Sequence, residues 1–192
     1  MVRRIVGALV VLLCLGLLSS CSLLPSHGVG FRGSSEQQAA DEMKLIADAA
    51  HNHDAAALKK LFSPSARQKA TDLDSGLKYF LSAYPSGHVT WQTQGNGLEG
   101  SNELFRQATA VFGHYEASVG AKKYDLYFAY VPVNDFHSDE IGLCALGVVP
   151  SSDSGYTASG DRKPFDLWTS QFGIDGDTKN ALGEPGVYVP KD

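Results

Sequence analysis

The chain has 192 residues, 43% hydrophobic and 19% charged, which is enough apolar material for a real core and excludes global disorder. Its formal net charge is −5, and loss of Arg3 and Arg4 with a leader would take it to about −7. No basic run follows Arg4, and so acidic a domain gains little from approaching nucleic acid or anionic headgroups; a nucleic-acid partner is excluded.

Taken in chain order, Arg3 and Arg4 form a short positive start, and Ile5 to Leu18 is almost wholly apolar. As helix that stretch spans about 21 Å, short of the roughly 30 Å hydrocarbon core, so it reads as a secretory signal peptide over residues 1–20 rather than a membrane span. Leu18-Ser19-Ser20-Cys21 resembles the lipobox of bacterial lipoproteins. The small residues let extended backbone enter a peptidase site, and the thiol of Cys21 is the group that takes a diacylglyceryl thioether. The resemblance implies cleavage before Cys21, acylation of the new terminus, and a protein held by lipid on the outer face of a cell membrane. Two or three acyl chains hold firmly where one does not. Residues 21–35, rich in Gly, Ser and Pro after Cys21, read as a flexible tether. Of the other cysteines, Cys14 leaves with the leader, and Cys144, in the apolar run Ile141–Val149, reads as a buried, inert thiol.

A folded α+β domain is expected over residues 36–150. Ala39, Met43, Ile46, Ala47 and Ala50 recur at helical spacing, and Asn52-His53 ends that helix. Asp54 caps a short helix through Leu61; Ser63-Pro64 opens another to about Ala70. Asp72 or Asp74 caps a fourth, with Leu73, Leu77, Phe80, Leu81 and Tyr84 on one face, closed by Pro85-Ser86-Gly87. From His88 β-branched and aromatic residues dominate. His88–Thr93 reads as a strand, with turns at Gly95-Asn96-Gly97 and Gly100-Ser101-Asn102. Gln107–Val119 is a longer strand, joined by a hairpin at Gly120-Ala121-Lys122 to Tyr124–Val133, the strongest strand signal; Glu140–Val149 returns after a turn at Asn134–Asp139. Helices followed by a run of antiparallel strands predict helices packed on one face of a curved sheet. Residues 151–192 read as a partly ordered extension: Phe165, Leu167, Trp168, Phe172 and Tyr188 are too many anchors for a solvated tail, with a loop at Gly173–Gly183.

Asn52–Phe62 followed by Ser63-Pro64-Ser65-Ala66 resembles the early helices of the nuclear-transport-factor-2-like, or cystatin-like, superfamily. Together with Tyr124–Val133, Ile141-Gly142-Leu143, Val148-Val149-Pro150 and the terminal Pro185-Gly186-Val187-Tyr188-Val189-Pro190, it is similar to a family of bacterial lipoproteins, domain of unknown function 5104, over roughly residues 36–192. The resemblance implies a cone of curved antiparallel sheet with N-terminal helices in front of it and a cavity between them. It implies no reaction.

Catalytic signals are sparse. His51 and His53 would not share a helix face, and Asp135, His137, Asp139 and Glu140 fall in a turn where such residues satisfy local backbone. Asp175-Gly176-Asp177 lacks the ligand spacing and closing Glu of a calcium loop. No nucleophile elbow and no phosphate loop appear, so neither metal nor cofactor is expected. Alternation puts Tyr124, Leu126, Phe128 and Tyr130 on one sheet face and Asp125, Tyr127, Ala129 and Val131 on the other; on the preceding strand His114 and Glu116 share a face. Trp91, Tyr115, Tyr127 and Tyr130 are the candidate rings for stacking on a ligand. The leading expectation is a non-catalytic module binding a small molecule, peptide or envelope protein. The alternative is an isomerase- or hydrolase-like enzyme with Asp125 or Glu116 beside His114 and Tyr127, which predicts a carboxylate of raised pKa in an apolar pocket.

Overall fold

The computed structural model describes residues 34–87, 89–103, 106–172 and 183–191. The leader, Cys21 and the tether up to residue 33 lie outside them, as do Asp175-Gly176-Asp177 and nearly all of the loop expected at Gly173–Gly183. Among the described residues no helix is long and apolar enough to cross a membrane.

Among the described residues four helices come first, each opened by a polar cap. In α1 (Ser35–His51) the Ser34 hydroxyl accepts from the Gln37 amide, and Ala39, Glu42, Met43, Ile46, Ala49 and Ala50 form its buried stripe. It ends at Asn52, where His53 turns into the left-handed region (φ 51). Asp54 accepts from Ala57 N at 2.8 Å to start α2 (Ala55–Leu61). The buried Ser63 hydroxyl accepts from Ala66 N at 3.0 Å to start α3 (Pro64–Lys69). Asp72 is the cap of α4 (Leu73–Ala83); it sits at φ 53, a conformation that a short polar side chain tolerates.

The strands are β1 (Trp91–Glu103), β2 (Arg106–Val119), β3 (Lys122–Asn134), β4 (Gly142–Pro150) and β5 (Gly186–Val187), in sheet order β1-β2-β3-β4-β5. The first three pairings are antiparallel and β5 is parallel to β4. The expected turns at Gly95–Gly97 and Gly100–Asn102 are overturned: both glycine clusters run inside β1, with one bulge between Thr93 and Gly95. At Gly97 and Gly100 cross-strand groups occupy the space a side chain would need, whereas the space at Gly95 is open. A Cβ on Gly97 would stand 3.3 Å from the Phe112 ring, and one on Gly100 would stand 2.9 Å from the Ala108 carbonyl oxygen. Further irregularities at Thr109/Val111 and Ala129/Tyr130 bend β2 and β3.

The helices fill one face of the sheet. Ile46, Leu58, Phe62, Leu77 and Phe80 meet Val111, Leu126, Phe128, Leu143 and Leu146 in one cluster. Each such side chain contributes roughly 1.5–3 kcal/mol on burial. Gly113 keeps the layer tight: Phe128 and Tyr115 stack at 6.0 Å in the space a Cβ at 113 would invade, 2.5 Å from the Phe128 ring.

The opposite face is covered by the C-terminal extension. Short helix α5 (Pro164–Thr169) lays Phe165 and Trp168 over Gly147, where a Cβ would come within 2.8 Å of the Phe165 ring. Trp168, Phe172 and Tyr127 form an edge-to-face and tilted group with centroids 4.9–6.3 Å apart. The extension then returns as β5, whose Val187 wedges against Gly76 of α4. Within the extension, Pro164–Thr169 thus forms a helix on the outer face and Gly186–Val187 a two-residue strand at the sheet edge.

Candidate functional site

Two buried carboxylates bracket the sheet, one on each face. On the outer face β2 and β3 bring His114 and Asp125 together, Nε2 to Oδ1 at 3.2 Å, and the Ser154 hydroxyl donates to Oδ2 at 2.5 Å. Burial alone would raise the Asp125 pKa, but its hydrogen bonds from His114 and Ser154 outweigh that and hold it below the usual carboxylate value. Glu116, on the same face, pairs instead with Lys123 at 3.0 Å near solvent. Tyr127 lies on this face against Trp168 and Phe172, and burial pushes its phenol far up. The residues of the expected acid–base group are therefore neighbours, yet Asp125 is a fully bonded acceptor rather than a carboxylate of raised pKa. A Ser–His–Asp relay does not arise either, because the serine contacts the Asp and not the His.

On the inner face stands Glu42, which composition disguised as one more polar residue of an Ala-rich helix. It is 6% exposed, its Oε1 has no hydrogen-bond partner, and it sits in the α1 stripe between Ala39, Met43 and Ile46. Desolvation by burial pushes it up to about 7. Tyr130 of β3 faces it: burial, and then the Glu42 charge, push the Tyr130 phenol up to about 12. The signal was legible, since Glu42 lies three residues after Ala39 and four before Ile46, on the apolar side of the helical repeat. Leu98, paired with inward-facing Val111, shares the helix side of the sheet and is 43% exposed, an apolar rim beside this layer.

The four candidate ligand rings divide between the faces. Tyr115 and Tyr130 belong to the helix-side core, and Trp91 packs against that core. Trp91 donates its indole N–H to the Tyr84 hydroxyl at 2.8 Å, and Tyr115 stacks on Phe128. Tyr127 stands on the far side of the sheet. The four rings therefore do not line one surface.

A cleft of about 50 Å³ lies between α3, β4 and the returning extension, lined by Ser63, Ser65, Lys69, Glu140 and Cys144 among others. Cys144 donates its thiol hydrogen to the Ala129 carbonyl at 3.4 Å, and burial pushes it up to about 12, the state of an unreactive core thiol. Glu140 accepts from Asn134 at 3.0 Å, so the acidic loop satisfies its own surroundings. Among the described residues no group of three or more His, Cys, Asp or Glu is placed to hold a metal.

A family model described as a domain of unknown function, DUF5104, matches residues 45–151, more than half of the chain. The match takes in α2 through β4 and stops before α5, so the terminal Pro185–Pro190 motif lies beyond it. No curated protein matches the chain.

Proposed function

This chain belongs to the DUF5104 family, and on that footing we propose that it is a lipid-anchored, non-catalytic binding module at the cell envelope, joined to the outer membrane face through Cys21. The ligand has an apolar body and a hydrogen-bond-donating head, and its site is the rim between α1 and β1. The observation that carries this reading is Glu42. A buried carboxylate oxygen without a partner costs the fold on the order of 1–3 kcal/mol, and a donor brought in by a ligand recovers that penalty. Tyr130 offers a second polar group beside it, and Leu98 an apolar rim. A helix layer before a bent sheet also favours the nuclear-transport-factor-2-like likeness, in which binding between the layers is the expectation.

Thermal denaturation against a panel of amphiphilic amines and alcohols tests the reading. A binder of the native state raises the melting midpoint, by an amount that grows with concentration. The gain should vanish in Glu42→Ala. A panel without any shift, or a shift indifferent to that substitution, sinks the site. For the anchor, Cys21→Ala should move the protein from the detergent-rich to the aqueous phase on detergent partitioning, and unchanged partitioning would overturn it.

The same carboxylate favours a second reading, an acid–base enzyme. A Glu titrating near neutrality is suited to general acid–base work. Mass analysis of any recovered ligand separates the two: the binding reading expects it unchanged.

A further inference from the structure

We infer that Glu42 is a proton-operated latch on the N-terminal helix: with the carboxyl protonated α1 seats on the sheet, and loss of the proton to solvent loosens α1 and opens its rim with β1. The inference rests on the site proposed above, though not on any ligand occupying it.

The geometry leaves the ionised group nowhere to go. Glu42 shares its stripe with Ala39, Met43, Ile46, Ala49 and Ala50, all buried, and α1 packs on α2, β1 and β2. None of these elements turns a cation toward it. On α2, Lys59 is committed to Asp74 of α4 at 2.7 Å, and Lys60 is exposed. On β1, Glu99 is exposed and acts on Tyr127, the outer-face phenol. On β2, His114 and Glu116 point to the outer face, where Asp125 and Lys123 hold them, and Tyr115 stacks on Phe128. The phenol of Tyr130, from β3, is the polar group that feels Glu42. Around the helix itself, Glu36, Asp41, Lys44 and Asp48 are exposed. A neutral carboxyl is tolerated in such a layer, whereas a carboxylate needs water or a cation and gains one by displacing the helix.

The position gives the latch something to act on. Within the described residues α1 is the first element, so it is the part that the chain from Cys21 leads into. Its departure uncovers the apolar inner face of the sheet without unfolding the β2–β3–β4 ladder.

Hydrogen exchange of the full chain without ligand, read by mass spectrometry from pH 5.5 to 8.5 and corrected for the intrinsic pH dependence of exchange, tests this. In the wild type, opening of α1 amides should rise by up to about tenfold per pH unit as pH climbs toward about 7, the slope of one proton released on opening, and level off above it, while α4 amides stay level. Glu42→Gln should flatten the α1 response. Equal pH response of α1 and α4, or an undiminished α1 response in Glu42→Gln, overturns the latch. Should Glu42→Gln not fold, carbon-13 titration of the wild-type Glu42 carboxyl decides: a midpoint near neutrality supports the latch, and one in the ordinary carboxylate range overturns it. A pH-dependent α1 together with a silent ligand panel leaves the latch standing and removes the binding reading, so the two failures are distinguishable.

Discussion

Glu42 and Asp125 are buried alike, at 6% and 5% exposure, on opposite faces of one sheet, and their pKa values move in opposite directions. Burial is the largest influence on both. The difference is company: Asp125 accepts from His114 and Ser154, while one oxygen of Glu42 accepts from nothing. Depth sets the desolvation penalty, and partners decide whether the charge survives it. The outer face, wet at His114 and closed by serines of the extension, is built around an anion. The inner face is built around its absence.

That contrast is open to measurement at four points. The inner layer itself is the strongest term: Phe128→Ala should lower stability by about 3–5 kcal/mol in urea denaturation, since the ring fills the space between Gly113 and the helices. A loss under about 1 kcal/mol would mean that the layer is not packed as described. Next, the folded-state value of Glu42 lies above its unfolded value of 4.5. Its stabilising contribution is complete below about pH 4.5 and is lost as pH rises through about 7, for a total of about 3 kcal/mol. Glu42→Gln should remove that slope from a plot of stability against pH. Asp125 carries the opposite sign: its stabilisation is present above the unfolded value of 3.8 and is lost as pH falls through the lower folded one. Asp125→Ala should cost about 1–3 kcal/mol at pH 7 and move the acid-unfolding midpoint. An acid limb unchanged by the substitution would refute the account of the outer face. Smallest is the exposed pair on that face, where Lys123→Ala should change the urea midpoint by no more than about 0.5–1 kcal/mol because solvent screens the Lys123–Glu116 contact.

Much of the helical half was legible because its signals are local. Asp54, Ser63 and Asp72 are caps by residue type and position, and each is seen accepting from an amide three residues on. The long strands β2 and β3 were legible from alternation, including which of their residues share a face. Strand β1 was not, because Gly95, Gly97 and Gly100 carry the local signature of turns, whereas the reason for Gly97 and Gly100 is tertiary: Phe112 and the Ala108 carbonyl stand where their side chains would be. Of the site, the His114–Asp125 neighbourhood was readable from strand register, but the sign of its pKa shift was not, since Ser154 arrives from beyond β4. Glu42 was missed for the converse reason. Helical spacing placed it inward, and its polarity argued it outward; in a helix this short of large apolar groups the packing prevailed.

The parallel pairing of β5 with β4 fixes an order of events. Eight consecutive residues of β4, Gly142 to Val149, are buried, some of them under Phe165, Trp168 and Tyr188, which are made later. During synthesis from the N-terminus, that sticky ribbon stays uncovered until residues 164–188 have followed it out. Closure of the sheet therefore waits on the segment that follows it, and a ribosome still holding residues 186–187 holds an adhesive intermediate that calls for a chaperone's shelter.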